Sequence, residues 1–252
     1  MKYLGSKRKI ANEILPLILE RRGKATYVEP FVGGCGTFQF VDGPKIGGDI
    51  HPYLTKLLQA LADGWIPPTI TEMQYDYIHA YYDSKWAARN WFKGSTPWRK
   101  NPLRKVNAVS DELIGYAGFC LSYGAKWWGG YRRDKTGIRD YSAESRRDII
   151  KTASLIKGAK FYNCSYDKIH IPPKSIIYCD PPYENTTSYS NQFNHTAFWT
   201  WCRAKHAQGH KIFVSEYNAP ADFKKIWCKD VPLTVSNATG TSQIKTECLF
   251  TL

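Results

Sequence analysis

The residues best suited to chemistry follow a single apolar run. Residues 175–179 read as a buried strand, and Asp180, two prolines and Tyr183 come directly after it. Prolines fix the backbone and remove amide donors, so the strand ends in a stiff corner. The Asp180 carboxylate and the Pro181 carbonyl are then two fixed acceptors, which match the two hydrogens of an exocyclic amine. Tyr183 adds a face on which a planar base can stack.

This corner predicts a pocket for an aminated base that has been flipped out of a nucleic-acid helix. An amine held by its hydrogens turns its lone pair toward whatever lies opposite, and an activated methyl group there would complete a transfer reaction. Positioning and electrostatics would carry most of the rate. Asp180 polarises the amine and stabilises positive charge developing on nitrogen, so it need not be a strong base. The alternative is that the motif is an ordinary strand-ending turn.

A glycine loop is the second candidate feature. Gly33, Gly34 and Gly36 follow the strand-like residues 26–30, and such a loop lets backbone amides approach a ligand closely. The loop departs from the nicotinamide-binding fingerprint, because Gln39 stands where the third glycine belongs and the expected acidic residue comes too early. A strand, a glycine turn and a helix-like segment remain, which is a weak signal for a nucleotide-like ligand by itself.

The acidic residue that comes early is Asp49, at the tip of a second strand-like run. An acid at this place can accept hydrogen bonds from both ribose hydroxyls of a nucleoside. The alternative is that Asp49 caps the helix that begins near Pro52. Asp49 and Asp180 both end strands, and ligands of open α/β sheets bind at the carboxyl ends of strands.

These features belong to segments that alternate between strand and helix on both sides of a middle region. The alternation predicts an α/β sheet formed by residues 1–63 and 161–252. Residues 64–160 show no such alternation and are predicted to be an inserted, mostly helical domain with one exposed hairpin or loop. A polar loop, residues 184–195, is predicted to be mobile and to become ordered on binding. Aromatic residues after it, Phe198, Trp199 and Trp201, are predicted core.

The net charge of +13 predicts a polyanionic partner, most simply nucleic acid. Residues 64–160 carry 17 Lys and Arg against 9 Asp and Glu, and many Trp and Tyr lie among them. Basic residues interleaved with aromatic ones suit a surface that binds phosphates and stacks on bases. The alternative is a merely basic protein.

Cysteine and histidine usage predicts neither a metal site nor a disulfide framework. The seven cysteines form no C-x-x-C pair, and the histidines are scattered. The N-terminus is polar and basic, with no signal peptide, and no apolar run is long enough to span a bilayer. We therefore expect a reduced, cytoplasmic protein that is not bound to a membrane.

The motifs together resemble the Dam-like DNA adenine-N6 methyltransferases. The resemblance is carried, in chain order, by "KYLGSKRKI", "YVEPFVGGCGTF", "GGDI", "FYNCSYD", "IYCDPPY", "VSEYN" and "IKTECLFTL". It implies a Rossmann-like methyltransferase sheet with an inserted DNA-recognition domain, the cofactor S-adenosyl-L-methionine and the product S-adenosylhomocysteine. Three departures are noted: "GGDIHP" lacks the asparagine expected after Ile50, "VSEYN" has Glu216 and Tyr217 near the expected asparagine, and the middle region matches poorly.

The resemblance implies roles for individual residues. Asp180, Pro181 and Tyr183 are the implied catalytic residues. The implied cofactor contacts are Tyr3, Lys7, Phe31, Gly33, Gly34, Gly36, Asp49, Asp180 and either Ser165 or Tyr166. Lys2 is expected to approach DNA.

Further DNA contacts are predicted in the segment "YGAKWWGGYRR" of the middle region, at Lys126, Trp127, Trp128, Tyr131, Arg132 and Arg133. One interpretation is a hairpin that enters a groove, with an aromatic wedge and arginines on phosphates or guanine edges. The other is that Trp127 or Trp128 packs inside the helical insertion. A second basic run, Arg99, Lys100, Arg104 and Lys105, suits non-specific phosphate contacts or a solvated face.

The sequence therefore predicts a site-specific adenine methyltransferase acting on double-stranded DNA. Two alternatives stay open: the same chemistry on a cytosine amine, RNA or a protein glutamine amide, and a non-catalytic DNA-binding relative. The intact corner and glycine loop argue against the last, since a pure binding protein needs neither. A cognate restriction endonuclease is a further partner to consider.

Overall fold

The α/β character predicted from the alternating segments is confirmed. The computed structural model describes residues 1–89, 108–134, 136, 138–183, 193–232 and 244–252. In these residues the α-helices are α1 Ala11–Ile18, α2 Pro52–Ala62, α3 Glu72–Arg89, α4 Asp111–Gly115, α5 Tyr141–Leu155 and α6 His195–Ala207. The strands are β1 Tyr27–Glu29, β2 Lys45–Asp49, β3 Lys160–Asn163, β4 Ile176–Cys179, β5 Lys211–Glu216, β6 Lys224–Pro232 and β7 Ile244–Thr251.

The strands form one seven-stranded sheet in the described part of the chain, in the order β3-β2-β1-β4-β5-β7-β6. β1 lies parallel between β2 and β4, with Tyr27 opposite both Lys45 and Ile176, and β4 is parallel to β5. β7 is antiparallel to both β5 and β6. The carboxyl ends of β2, β1, β4 and β5 therefore share one edge of the sheet, which is the edge where ligands bind in open α/β folds.

The central strands β1 and β4 lie in the core of the sheet. Every residue of β1 and β4 is buried. Their side chains join a core cluster with residues of β5, β7 and α6, which includes Phe198 and Trp199, with Trp201 packed against it. The prediction that these three aromatic residues belong to the core is confirmed. Because β4 is closely packed, the position of the first residue after the strand is fixed.

Contacts divide the chain into two compact units. The first unit comprises residues 1–6, 33–39 and 51–163, and the second comprises residues 7–32, 40–50 and 164–252. This border differs from the predicted one at residues 63/64 and 160/161, because α2, β3 and the glycine loop cluster with the middle region. The middle region itself is helical in α3, α4 and α5, with one antiparallel bridge between Ser122 and Tyr131.

The start of β6 has no clear signal in the sequence, where only the run "VPLTV" from Val231 onward predicts a strand. The strand begins seven residues earlier in the sequence, at Lys224. Its first part is rich in lysine and has no apolar alternation, so the pattern that reveals a half-buried strand is absent. Among the described strands, β6 is one of the two edge strands of the sheet, and charged side chains are common on edge strands.

The expectation of fully reduced cysteines is wrong, because the structure joins Cys228 and Cys248 in a disulfide. The two residues lie directly opposite each other in the antiparallel pairing of β6 with β7, with their Cα atoms 4.1 Å apart. Cross-strand register is a property of the folded sheet, so a count of cysteines and their spacing could not predict this pair. The other five cysteines are not joined in disulfides in the structure.

We expect reduction of this disulfide to lower the free energy of unfolding. The bond closes a loop with a sequence separation of 20 residues, and a loop of that size contributes about 3 kcal/mol by restricting the unfolded chain. Urea unfolding with and without a thiol reductant measures the difference. Cys228→Ser is the matched control, and its free energy of unfolding should not respond to the reductant. An unchanged free energy in the wild-type protein would contradict the prediction.

Candidate active site

The corner after β4 holds the predicted catalytic residues in the second unit. Asp180 follows the last residue of β4 directly, and its side chain is 23% exposed. Pro181 and Tyr183 are buried. Because β4 lies between the parallel strands β1 and β5, the Asp180 carboxylate stands at the carboxyl edge of the sheet. The structure therefore places a partly accessible acid on a rigid support, as the sequence predicted.

Lys7 also belongs to this site. It opens the short 3-10 helix Lys7–Lys9 and is buried. Its Nζ donates a hydrogen bond to Glu247 Oε1 over 3.1 Å and lies 3.4 Å from Asp180 Oδ1. The same nitrogen lies 4.4 Å from the centre of the Tyr183 ring, within the range of a cation–π contact. One ammonium group thus contacts two carboxylates and an aromatic face.

This arrangement shifts the pKa of both the acid and the lysine. Burial raises the pKa of Asp180 to about 6; the nearby Lys7 ammonium opposes that rise, and the Glu247 carboxylate adds to it. Burial alone would lower the pKa of Lys7, but the charges of Asp180 and Glu247 outweigh that effect and raise it. Of Asp180 and Lys7, Asp180 is therefore the group whose pKa lies nearer to neutral pH.

Sequence reasoning assigned no role to three neighbours of the corner. Glu247 lies on β7 and accepts the hydrogen bond from Lys7. The Tyr217 ring meets the Tyr183 ring edge to face at 4.6 Å between centroids, and the Tyr217 amide donates to the buried Glu216 carboxylate over 2.6 Å. The motifs "VSEYN" and "IKTECLFTL" marked these segments, but Lys7 and Glu247 are 240 positions apart, so no local pattern could pair them.

Asp49 lies at the carboxyl end of β2, on the same edge of the sheet as Asp180. The alternative that Asp49 caps α2 is wrong, because His51 occupies the cap position and its Nδ1 accepts a hydrogen bond from the Leu54 amide over 3.3 Å. Burial lowers the pKa of His51 to about 4, which keeps the ring neutral and able to accept. Asp49 thus remains a candidate for a ligand contact.

An aromatic cluster follows β1 in the second unit. Phe31 stacks on Tyr166, with 5.4 Å between ring centres and 26° between planes. Phe193 and Phe198 pack edge-on against Phe31. The structure thus brings together two of the predicted cofactor residues, Phe31 and Tyr166, and both are only partly buried. Ser165, the alternative to Tyr166, is also partly buried.

The glycine loop lies in the first unit and is covered by Tyr3. A Cβ atom added to Gly34 would lie 2.3 Å from Tyr3 Cβ, and one added to Gly33 would lie 2.9 Å from the Tyr3 ring. Gly33 also has a positive φ of 46°, which favours glycine. Gln39 donates hydrogen bonds to the carbonyls of Cys35 and Gly36. Its side chain therefore holds the loop, which explains why a glutamine stands at the position of a third glycine.

The two tryptophans of the predicted DNA-binding segment pack within the first unit. Trp127 stacks on Tyr53 at 5.6 Å and covers Gly118, where an added Cβ would lie 2.4 Å from the indole. Trp128 stacks on His79 at 4.5 Å. These contacts favour the packing interpretation for both rings over a free aromatic wedge. Contact with DNA stays a prediction for them.

The other predicted DNA-contact residues differ in whether their side chains already contact other residues of the protein. Arg133 is paired with Glu72, and the Tyr131 hydroxyl donates to the Ile70 carbonyl. Arg132 lies 3.8 Å from the centre of the Tyr141 ring. Lys2 and Lys126 are exposed. The basic run of Arg99, Lys100, Arg104 and Lys105 lies outside the described residues, as do residues 184–192 of the loop predicted to be mobile.

Metal sites and membrane spans were sought in the part of the chain that the structure describes. No group of three or more His, Cys, Asp or Glu side chains there could hold a metal ion. None of the described helices is both long and apolar enough to cross a membrane.

Comparison with known proteins gives two findings. Residues 3–229 match the family model "D12 class N6 adenine-specific DNA methyltransferase". The chain is also 22% identical over 214 residues to "Type II methyltransferase M.FokI" of Planomicrobium okeanokoites, a match that covers 81% of this chain and 31% of that protein. The chain thus spans about a third of the length of the curated relative it matches.

Proposed function

Because the chain belongs to the D12 class of N6 adenine-specific DNA methyltransferases, we propose that it methylates the exocyclic amine of adenine in double-stranded DNA, with S-adenosyl-L-methionine as the methyl donor. The observation that carries the proposal is the half-buried Asp180 carboxylate on a rigid proline corner beside Tyr183. The relative is described as a type II methyltransferase, and we extend the proposal to site-specific methylation beside a cognate restriction endonuclease. Action on DNA supports a cytoplasmic location.

The residues present suit the proposed cofactor. Asp49 offers a carboxylate at a strand tip for ribose hydroxyls, and the stacked Phe31 and Tyr166 offer an aromatic surface for an adenine. In the first unit, Gly33 and Gly34 let the Tyr3 side chain pack directly on the loop backbone, where an added Cβ would collide with it. We propose these residues as cofactor contacts, together with Tyr3, Lys7, Gly36 and Asp180 from the sequence resemblance. When bound, the cofactor supplies an electrophilic methyl group and leaves as S-adenosylhomocysteine.

The chain's own residues would act by holding the target amine. The Asp180 carboxylate and the Pro181 carbonyl accept its two hydrogens, so the nitrogen lone pair points away from the corner. The carboxylate also stabilises the positive charge that develops on nitrogen as its new bond to carbon forms. Tyr183 offers a face to a base that has left the helix, and base–aromatic stacking of this kind contributes about 1–3 kcal/mol. The surplus proton leaves after transfer.

Target recognition is proposed for residues 64–160. The basic character of this region and its aromatic content support the assignment. Arg132 and Lys126 are the better candidates for DNA contacts, since Arg133 is paired with Glu72 and the two tryptophans are packed.

One assay tests the proposed function against its alternatives. The protein is incubated with cofactor that carries an isotopically labelled methyl group and with DNA, RNA or protein, and the products are digested and identified by mass spectrometry. We expect label in N6-methyladenine from double-stranded DNA at a defined sequence. Label in cytosine, RNA or a glutamine amide would show that the protein methylates another acceptor. DNA binding without label would make the protein a non-catalytic relative.

A further inference from the structure

A single buried ammonium lies between two carboxylates at the proposed catalytic corner. The Lys7 Nζ contact to Glu247 Oε1, at 3.1 Å, is shorter than its contact to Asp180 Oδ1, at 3.4 Å. The Glu247 side chain is 16% exposed, and that of Lys7 is 9% exposed. Glu247 is therefore the nearer partner of a cation that also touches the proposed catalytic acid.

This geometry matters because Lys7 and a target amine need the same acceptor. An ammonium group has three donors and no acceptor, and a carboxylate oxygen that it occupies is less available to another donor. A lysine bound to Asp180 alone would compete with the amine for Oδ1 and would neutralise the charge that the amine needs. Glu247 offers the ammonium a second partner, and the Tyr183 ring at 4.4 Å limits its position further.

We propose that Glu247 is a positioning residue that anchors the Lys7 ammonium and thereby keeps the Asp180 carboxylate available to the target amine. The geometric part of the inference depends on the contacts among Lys7, Glu247 and Asp180. Its consequence for catalysis rests on the proposed function. Glu247 itself touches Lys7, and its proposed effect on kcat passes through that lysine, while its charge also raises the pKa of Asp180 directly.

The role of Glu247 can be read from the pH dependence of the reaction. In the described part of the chain, the titratable side chains that act electrostatically with Asp180 include Lys7, Glu247, Tyr178, Cys179, Tyr183 and Tyr217. Burial raises the pKa of Tyr178, Cys179, Tyr183 and Tyr217, so these four are neutral near pH 7. Two more buried carboxylates, Glu29 and Glu216, end the adjacent strands β1 and β5 and act on Tyr178 and Tyr183.

The sign of the expected shift follows from the charges. The amine binds to the ionised form of Asp180, so the rate falls as pH drops through the pKa of about 6. Removing the Glu247 charge takes away a like charge and lets Lys7 move fully to Asp180, and both changes lower the pKa of Asp180. Removing the Lys7 charge has the opposite effect on that pKa.

The test is the pH profile of methyl transfer by Glu247→Gln. We expect the acidic limb of the profile, the pH range in which the rate falls as pH drops, to move below pH 6. At higher pH, kcat should fall by about tenfold while KM for DNA and for the cofactor changes little. This is the pattern of a lost transition-state interaction. Glu247→Asp keeps the charge and should keep the limb near that of the wild type. In a Lys7→Met background, Glu247→Gln should have no further effect on kcat, since a residue that acts through Lys7 cannot act without it.

Two measurements keep this test separate from folding and from the proposed function. Glu13→Gln, which removes a carboxylate from the exposed pair with Lys229, is the matched control and should leave the profile unchanged.

Titration of the labelled Asp180 carboxyl group by NMR, without DNA or cofactor, should show the lower pKa in folded Glu247→Gln. If the wild type transfers no methyl group, the proposed function fails while this titration still tests the geometry. An unchanged Asp180 titration, or an equal loss of kcat with and without Lys7, would overturn the inference.

Discussion

Asp180→Ala is expected to reduce methyl transfer by at least about a thousandfold, because removing one preorganised electrostatic partner of a transition state commonly costs 10²–10³ in rate and Asp180 also orients the amine. The substitution should leave the fold intact. Lys7 keeps its hydrogen bond to Glu247 and so is not left as an unpaired buried charge. DNA binding should also remain, since Asp180 contributes no positive charge to the contact with phosphates.

Single-turnover kinetics and a DNA-binding titration at fixed salt measure the two properties separately. The matched control is Asp222→Asn, which removes a carboxylate from an exposed pair with Arg203 in the same unit and should leave the rate within about twofold, as is usual for surface substitutions. Wild-type activity in the Asp180→Ala variant would contradict the role assigned to the acid. Loss of DNA binding together with activity would point to a structural role.

Gly34→Ala is expected to weaken binding of S-adenosyl-L-methionine. The added methyl group would lie 2.3 Å from Tyr3 Cβ, and neither atom is the far end of a flexible side chain. The Tyr3 backbone or the loop must therefore shift. Overpacking of this kind costs about 1–3 kcal/mol, which corresponds to about a 5- to 150-fold loss of affinity if the cofactor binds the loop in its original position.

Calorimetric titration with the cofactor measures this affinity on the folded variant. Gly118→Ala is the matched control, because an added Cβ there meets the Trp127 ring at 2.4 Å in the same unit, beside the contact of Trp127 with Phe119 and away from the glycine loop. Gly118→Ala should lower the melting temperature and leave cofactor affinity near the wild-type value. The same affinity in Gly34→Ala and the wild type would remove the loop from the cofactor site.

The elements that carry the site were predictable where local pattern decides structure. The short apolar run before Asp180 is typical of a fully buried strand, and Leu54, Leu57, Leu58 and Leu61 recur with the spacing of one face of a helix. The resemblance of the motifs in chain order identified the family that residues 3–229 match. The resemblance also implied Phe31 and Tyr166, which the structure stacks together.

Contacts made across the sheet were not predictable from the sequence. The pairs Lys7–Glu247 and Cys228–Cys248 depend on how distant segments align in the folded sheet, and neither has a local signature. His51 was missed as the cap of α2 because histidine is an uncommon cap, and its neutral ring is a consequence of burial. The packing of Trp127 and Trp128 was left open, since an aromatic pair in a glycine-containing stretch suits a core as well as a surface.

The most direct measurement is a crystal structure of the protein with a non-reactive cofactor analogue and a DNA duplex that contains the methylated sequence. We predict an adenine outside the helix, stacked on Tyr183, with its exocyclic nitrogen about 2.7–3.2 Å from an Asp180 oxygen and from the Pro181 carbonyl. A target base whose amine is held by other residues, with Asp180 beyond hydrogen-bonding distance, would contradict the role of the corner.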